Sequence, residues 1–233
     1  MTLEVCVPPL SYEMRDCSME TVRRLCELHH GYKGAGSAAV YAFAVYEGGR
    51  PVAAYSWQPA SAGVGPSVCP EAPHGVLALS RMVAVPKVER RLNHVSKPLR
   101  RQMRKVIDRT RWPVLVTFHD EGEGHTGHVY RCSGWEKASR SLSPTFADPE
   151  TGRRVAPTTS SAGAERRREM VPLGSRWIQR WEHWACPRGG AAEWMAKHGW
   201  RRVPVHGRRW RSGNQAYTWV RGAATQVAMF GGE

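Results

Sequence analysis

The chain has 233 residues, 41% of them hydrophobic, and a formal net charge of +14. That is enough for one sizeable domain, with or without an appendage. It contains no run of 18 apolar residues, which excludes a transmembrane helix, and its first residues, MTLEVCVPPLSYEMRD, lack a basic region followed by an apolar one, so no signal peptide is expected. The six cysteines (Cys6, Cys17, Cys26, Cys69, Cys132, Cys186) form no CxxC pair. Free thiols in a reducing cytoplasm are the expectation, and a zinc finger is not.

Residues 19–30 place Met19, Val22, Leu25, Cys26 and Leu28 at helical spacing, with Ser18 as N-cap and Gly31 as stop. The helix would end on His29 and His30, just before Tyr32. Histidines there suit the helix dipole; alternatively they form a pair of imidazoles beside a site. Residues 40–46 read as a strand, Glu47 to Arg50 as a hairpin turn and 51–57 as the returning strand. The Pro-, Ser- and Gly-rich stretch 58–75 reads as a long loop. Residues 76–85 are a strand interrupted by Ser80-Arg81 and closed by Pro86.

After a basic connector, Lys87 to His94, Ser96 can cap a helix with Pro98 in its first turn. Leu99, Met103, Val106 and Ile107 form its apolar stripe, and Arg100, Arg101, Arg104, Lys105 and Arg109 lie opposite. A helix start near a strand end is an anion-binding arrangement. Residues 113–118 form a buried strand that runs into His119-Asp120, a Gly-rich loop (121–124) and a short helix carrying His125, His128 and Tyr130. This strand, loop and helix can aim polar groups into one crevice. Residues 141–172 are polar and read as a mobile insertion or linker. Residues 173–184 read as a Trp-rich amphipathic helix, 191–198 as a second helix, and 200–205 and 216–220 as closing strands. This gives a core over 1–140, the linker, and a basic Trp-rich segment over 173–233 that completes the fold and meets a partner.

That partner is suggested by charge. Residues 1–85 carry 6 Lys+Arg against 7 Asp+Glu, residues 86–150 carry 13 against 8, and residues 151–233 carry 15 against 5, with seven of the ten Trp in the last segment. Arg suits phosphate through bidentate hydrogen bonds and Trp suits base stacking. Arg166, Arg167, Arg168, Arg208, Arg209 and Arg211 are the candidate backbone contacts. The bland alternative is a solvated basic face over a Trp core.

The order of elements, with a crossover helix near a strand end and Tyr130 four residues before Gly134-Trp135, resembles the GNAT acetyltransferase fold: a mixed, mostly antiparallel sheet flanked by helices. The usual Gly-rich pyrophosphate loop is replaced by the basic connector 87–94. A closer resemblance is to the Mom DNA-modification proteins of bacteriophages. It rests on His29-His30, Pro59-Ala60-Ser61, Cys69-Pro70, Leu79-Ser80-Arg81-Met82, Asp120, Gly124-His125-x-Gly127-x-x-Tyr130 and Tyr217-Thr218-Trp219. Departures are His119, where the family tends to have Ala, the inserted Gly31, and a different 141–200 region.

The resemblance implies a transferase that converts adenine N6 in double-stranded DNA to a carbamoylmethyl form, shielding phage DNA from host restriction. It implies Tyr130 as general acid, Asp120 as proton acceptor or orienter, and His30 and Tyr32 completing the pocket. Arg81, Val83 and Ser96 would lie beside acetyl-CoA or a related acyl donor. A thioester alone acetylates an amine, so iron held by His119, Asp120, His125 and His128 with His29 and His30 is a further expectation; surface histidines with no ligand are the bland reading. Host cytoplasm is the expected location, a membrane is not expected, and a homodimer is left open. Two other readings compete: an ordinary GNAT N-acetyltransferase acting on a protein or small amine, and a non-enzymatic basic DNA-binding protein.

Overall fold

In a computed structural model, the structure describes residues 12–29, 39–89, 95–150, 152, 154–155, 170–209 and 215–222; the side chains of 154–155, 205–209 and 215–218 fall outside it. Strand β1 (Glu13–Asp16) and helix α1 (Met19–His29) open the described chain. Ser18 caps α1 by accepting the Thr21 N–H at 3.3 Å, and Val22, Leu25 and Cys26 are its buried stripe. Strands β2 (Tyr41–Glu47) and β3 (Arg50–Pro59) form a hairpin in which Glu47 pairs with Arg50. The two residues between them, Gly48 and Gly49, both have positive φ, as a two-residue turn matching the strand twist requires.

The stretch 58–75 holds more order than its composition suggests: a short helix α2 (Val64–Val68) and a 3-10 turn at Pro73–Gly75. Strand β4 (Val76–Ala84) runs through Ser80-Arg81 without a break. Helix α3 (Ser96–Ile107), strand β5 (Val114–Asp120), a 3-10 turn (Glu121–Glu123) and helix α4 (His128–Cys132) follow. Then come β6 (Glu136–Ala147), β7 (Arg154–Val155), β8 (Val171–Trp184), α5 (Ala191–Lys197), β9 (Trp200–Arg209) and β10 (Gln215–Arg221).

Eight strands form one sheet in the order β1-β2-β3-β4-β5-β8-β6-β7, with β1–β2, β2–β3, β6–β8 and β6–β7 antiparallel. The chain is thus mixed α/β, with a large, mostly antiparallel sheet and flanking helices. β9 and β10 pair antiparallel in a sheet of their own.

Two expectations are corrected. Residues 173–184 are not a helix but most of β8, and residues 141–147 are not a linker but the second half of β6. Trp177 and Trp181 are spaced by four, an even number, so they share one face in a strand as well as in a helix. What decides is the partner: β8 finds β6 in register, Leu142 opposite Trp177 and Lys137 opposite Trp181. Aromatic residues favour such a pleated surface.

The chain divides into two compact units: Met1–Gln58 with Ala78–Gln102 and Val116–His183, and Pro59–Leu77 with Met103–Leu115 and Trp184–Glu233. In the first, Phe43, Val45, Tyr55, Trp57 and Trp181 are buried, and Trp57 stacks on Trp135 with ring centres 6.3 Å apart. The buried Trp57 indole N–H donates to Gln102 Oε1 at 3.2 Å, which satisfies a polar atom that water cannot reach. In the second, Leu77, Leu115 and Met195 are buried. Gly75 packs so tightly there that a Cβ would stand 2.9 Å from Met195 Sδ. Arg111 lies 4.8 Å from the ring centres of both Trp112 and Trp200.

Candidate functional site

A crevice of about 710 Å³ opens in the first unit, at the ends of β4 and β5. Its walls are Leu79–Ala84 of β4, Thr117–Asp120 of β5, the loop and helix from Glu123 to Tyr130, and His29 at the end of α1. That is the size range of sites for cofactors and small ligands.

Strand geometry sorts the β5 side chains. Successive residues point to opposite faces, so Thr117 and His119 share one face and Phe118 and Asp120 the other. Tyr130 of α4 is 8% exposed, and its hydroxyl hydrogen-bonds to Thr117. Thr117 Oγ1 itself donates to the Leu79 carbonyl at 3.3 Å. Burial pushes the Tyr130 hydroxyl above its ordinary pKa, outweighing the Thr117 bond, so the phenol keeps its proton. Trp181 and Trp135 flank the Tyr130 ring at 5.8 and 6.0 Å between centres.

Asp120 is 6% exposed, and both its oxygens have partners. Oδ1 accepts the Gly122 N–H at 3.0 Å and so caps the 3-10 turn, while Oδ2 lies 2.5 Å from Arg176 Nη1 of β8. Arg176 also reaches Glu123 at 3.0 Å, and Arg140 of β6 pairs with Glu121. The β6–β8 pair therefore clamps the loop that forms one lip of the crevice. Asp120 is placed to hold that loop as well as to face a ligand.

His119 is also buried, 6% exposed, and its Nδ1 accepts the Trp181 indole N–H at 2.7 Å. Burial lowers its pKa from the ordinary value, the opposing pull of Glu121 being smaller. His125 and His128 line the crevice and are exposed; His128 Nε2 lies 3.3 Å from Cys132 Sγ. Among the described residues, no group of three or more His, Cys, Asp or Glu is arranged to hold a metal ion. With Nδ1 of His119 given to Trp181 and Oδ2 of Asp120 to Arg176, the described residues do not fit an iron site. The expected iron finds no support in them.

Of the residues expected at the site, Asp120, Tyr130, Arg81, Val83, His29, His119, His125 and His128 all border the one crevice. Arg81 donates from Nη1 to the Ser80 carbonyl at 2.6 Å, and Val83 is buried at the wall. Ser96 begins α3, and its carbonyl accepts from Ser133 Oγ at 3.1 Å. It is not among the crevice-lining residues. His30, Tyr32, Arg166, Arg167, Arg168 and Arg211 lie outside the described residues, as do the side chains of Arg208 and Arg209.

Three residues have no place in the sequence reading of the site, Thr117, Arg176 and Trp181, and Gly127 enters it only as part of a motif, without its physical reason. Gly127 lies in the left-handed region at φ +68°, and a Cβ there would stand 2.4 Å from the Trp181 ring and 2.8 Å from His119 Cε1. The sequence signal that existed was the conjunction of a Gly before a short helix with an unexplained Trp. Only the β8 pairing brings the two together.

Fold and site define a mixed α/β protein with a ligand-sized crevice where two strands end beside a protonated phenol. The chain belongs to the Mom protein family, whose model matches residues 11–182. No curated protein matches it. Similar solved structures include an N-acetyltransferase from Staphylococcus aureus Mu50, at 10% identity and TM-score 0.47, covering 76% of this chain and 99% of that one. The ribosomal-protein-S18-alanine N-acetyltransferase of Escherichia coli is another, at 10% identity and TM-score 0.45, covering 73% and 92%. A Bacillus subtilis acetyltransferase in complex with CoA is a third, at 8% identity and TM-score 0.44, covering 75% and 98%. Likenesses this distant carry no inference about activity.

Proposed function

We propose that the chain is a transferase that modifies the N6 amine of adenine in double-stranded DNA, with Tyr130 as general acid. The observation that carries this reading is membership of the Mom family over residues 11–182, which include the whole wall of the crevice. The net charge of +14 supports a polyanionic partner. Adenine N6 is inaccessible within a duplex, so the base must be turned out into a pocket to react. A crevice of about 710 Å³ has room for a purine beside the end of a donor molecule.

The residues present fit an acyl thioester donor such as acetyl-CoA. Leu79, Met82, Val83 and Ala84 offer an apolar wall for its arm, and Arg81 offers a guanidinium for phosphate oxygens. Bound there, the donor would supply the electrophilic carbon. Tyr130, kept protonated by burial, gives its proton to the departing group as the bond to N6 forms and the bond to that group breaks. Asp120, fixed by Arg176 and Gly122, holds the loop and accepts the proton that N6 loses.

Simple acylation yields an N6-acyl adenine. A carbamoylmethyl product, joined through its methylene and shielding the DNA from restriction enzymes, would need a two-electron oxidation at the acetyl methyl carbon as well as a nitrogen donor, or a donor other than an acetyl thioester. The test is expression of the full chain in a bacterial host, digestion of the DNA to nucleosides, and mass spectrometry. An adenosine derivative of increased mass is expected, and its mass tells the two products apart. An unchanged nucleoside profile overturns the reading.

A further inference from the structure

We propose that His119 is a catalytic hydrogen-bond donor: Trp181 fixes its imidazole as the neutral Nε2–H tautomer, and that N–H serves a carbonyl oxygen of the group being transferred.

The geometry starts from the indole. A Trp Nε1–H can only donate. It points at His119 Nδ1 from 2.7 Å, so Nδ1 must offer its lone pair, and the single proton of the neutral ring sits on Nε2. A proton on Nδ1 would face the indole N–H and break the bond. Both rings are buried, Trp181 2% and His119 6% exposed, so water cannot take over the lost partner. The His119 ring lies nearly parallel to that of Tyr130, 13° apart with centres at 6.3 Å.

The chain keeps space for this arrangement. Gly127 lies against the pair, where any Cβ would collide with both rings. The sliver of His119 that remains exposed borders the crevice, and its Nε2 has no hydrogen-bond partner among the described residues. A neutral donor, held rigid and left unpartnered at a cavity wall, is preorganised for an oxygen that gains negative charge in the transition state. The same tautomer cannot give a lone pair to a metal from either nitrogen. Trp181 is a positioning residue, since it acts only through His119.

The identity of the acceptor rests on the acyl-transfer reading above; the tautomer does not. The experiment uses the full chain with ¹⁵N-labelled histidine. One histidine, identified by its loss in His119→Gln, should show a protonated Nε2 and an unprotonated Nδ1 at pH 7. In Trp181→Phe it should lose that fixed pattern. An Nδ1–H tautomer overturns the proposal, whatever the chain does to DNA. Millimolar acetyl-CoA should move the Nε2–H resonance, and an unmoved resonance overturns the donor role. In nucleoside assays, His119→Phe should lower kcat about 100-fold with KM within a few-fold, and His119→Gln, which keeps an N–H, should recover part of it. Equal kcat in His119→Phe and wild type also overturns the donor role. Absence of any DNA product in wild type overturns the adenine reading and leaves the resonance measurements to decide this one.

Discussion

Arg176 of β8 and Asp120 at the end of β5 form an ion pair with Nη1 and Oδ2 2.5 Å apart, their side chains only 15% and 7% exposed. The two residues are 56 positions apart in the chain, and their contact ties β8 to the loop that forms one lip of the crevice. A pair this buried is costly to break from one side, because the charge left behind has no water to turn to.

Arg176→Ala should therefore destabilise the fold by about 3 kcal/mol. For a chain of this size that is a fall in Tm of roughly 6–12 °C. Thermal unfolding followed by circular dichroism measures it. A loss below about 1 kcal/mol would mean that the loop holds Asp120 without Arg176. Arg176→Lys keeps the charge but not the second contact to Glu123, and should fall between the two.

Tyr130→Phe removes the one buried hydroxyl on α4 that lines the crevice while keeping the ring contacts with Trp135 and Trp181. Loss of a general acid costs about 100-fold or more in kcat, whereas the change in stability should stay within about 1 kcal/mol. Nucleoside yield in vivo, with Tm measured on the same preparation, separates the two effects. Full activity in the Phe variant would remove Tyr130 from the chemistry.

His119 gives the fold a pH dependence of known sign. Burial holds its pKa below the ordinary value, so below about pH 6.5 the unfolded chain binds a proton that the folded chain refuses. Stability should fall as pH drops through that range and level off once the folded state is protonated as well. Urea unfolding at stepped pH, compared with His119→Gln, isolates the contribution. A variant with the same slope as wild type would assign the effect to other groups.

The thiols should differ widely in reactivity. Burial raises Cys17 to about 11 and Cys69 to about 12, the latter helped by Glu71 nearby. At pH 8 only about one Cys69 thiol in ten thousand is then a thiolate. Cys132, in contrast, is exposed on α4. Timed alkylation with peptide mass mapping should label Cys132 early and Cys69 only on unfolding. Early labelling of Cys69 would show that its pocket opens.

Local chemistry alone determined much of this protein. Ser18 and the spacing of Val22, Leu25 and Cys26 specify α1; Gly48-Gly49 specifies the β2–β3 turn; Leu99, Met103 and Val106 specify the buried stripe of α3. An apolar run ending in His119-Asp120, followed by glycines and Tyr130, marked the crevice, because strand period, turn residues and a helix start all act within a few positions. Tertiary structure decided the rest. Spacing by four is silent between helix and strand, so β8 became legible only through its pairing with β6. The tautomer of His119, the partner of Asp120 and the need for Gly at 127 all depend on β8 residues that lie 54 to 62 positions away in sequence, where no periodicity reaches.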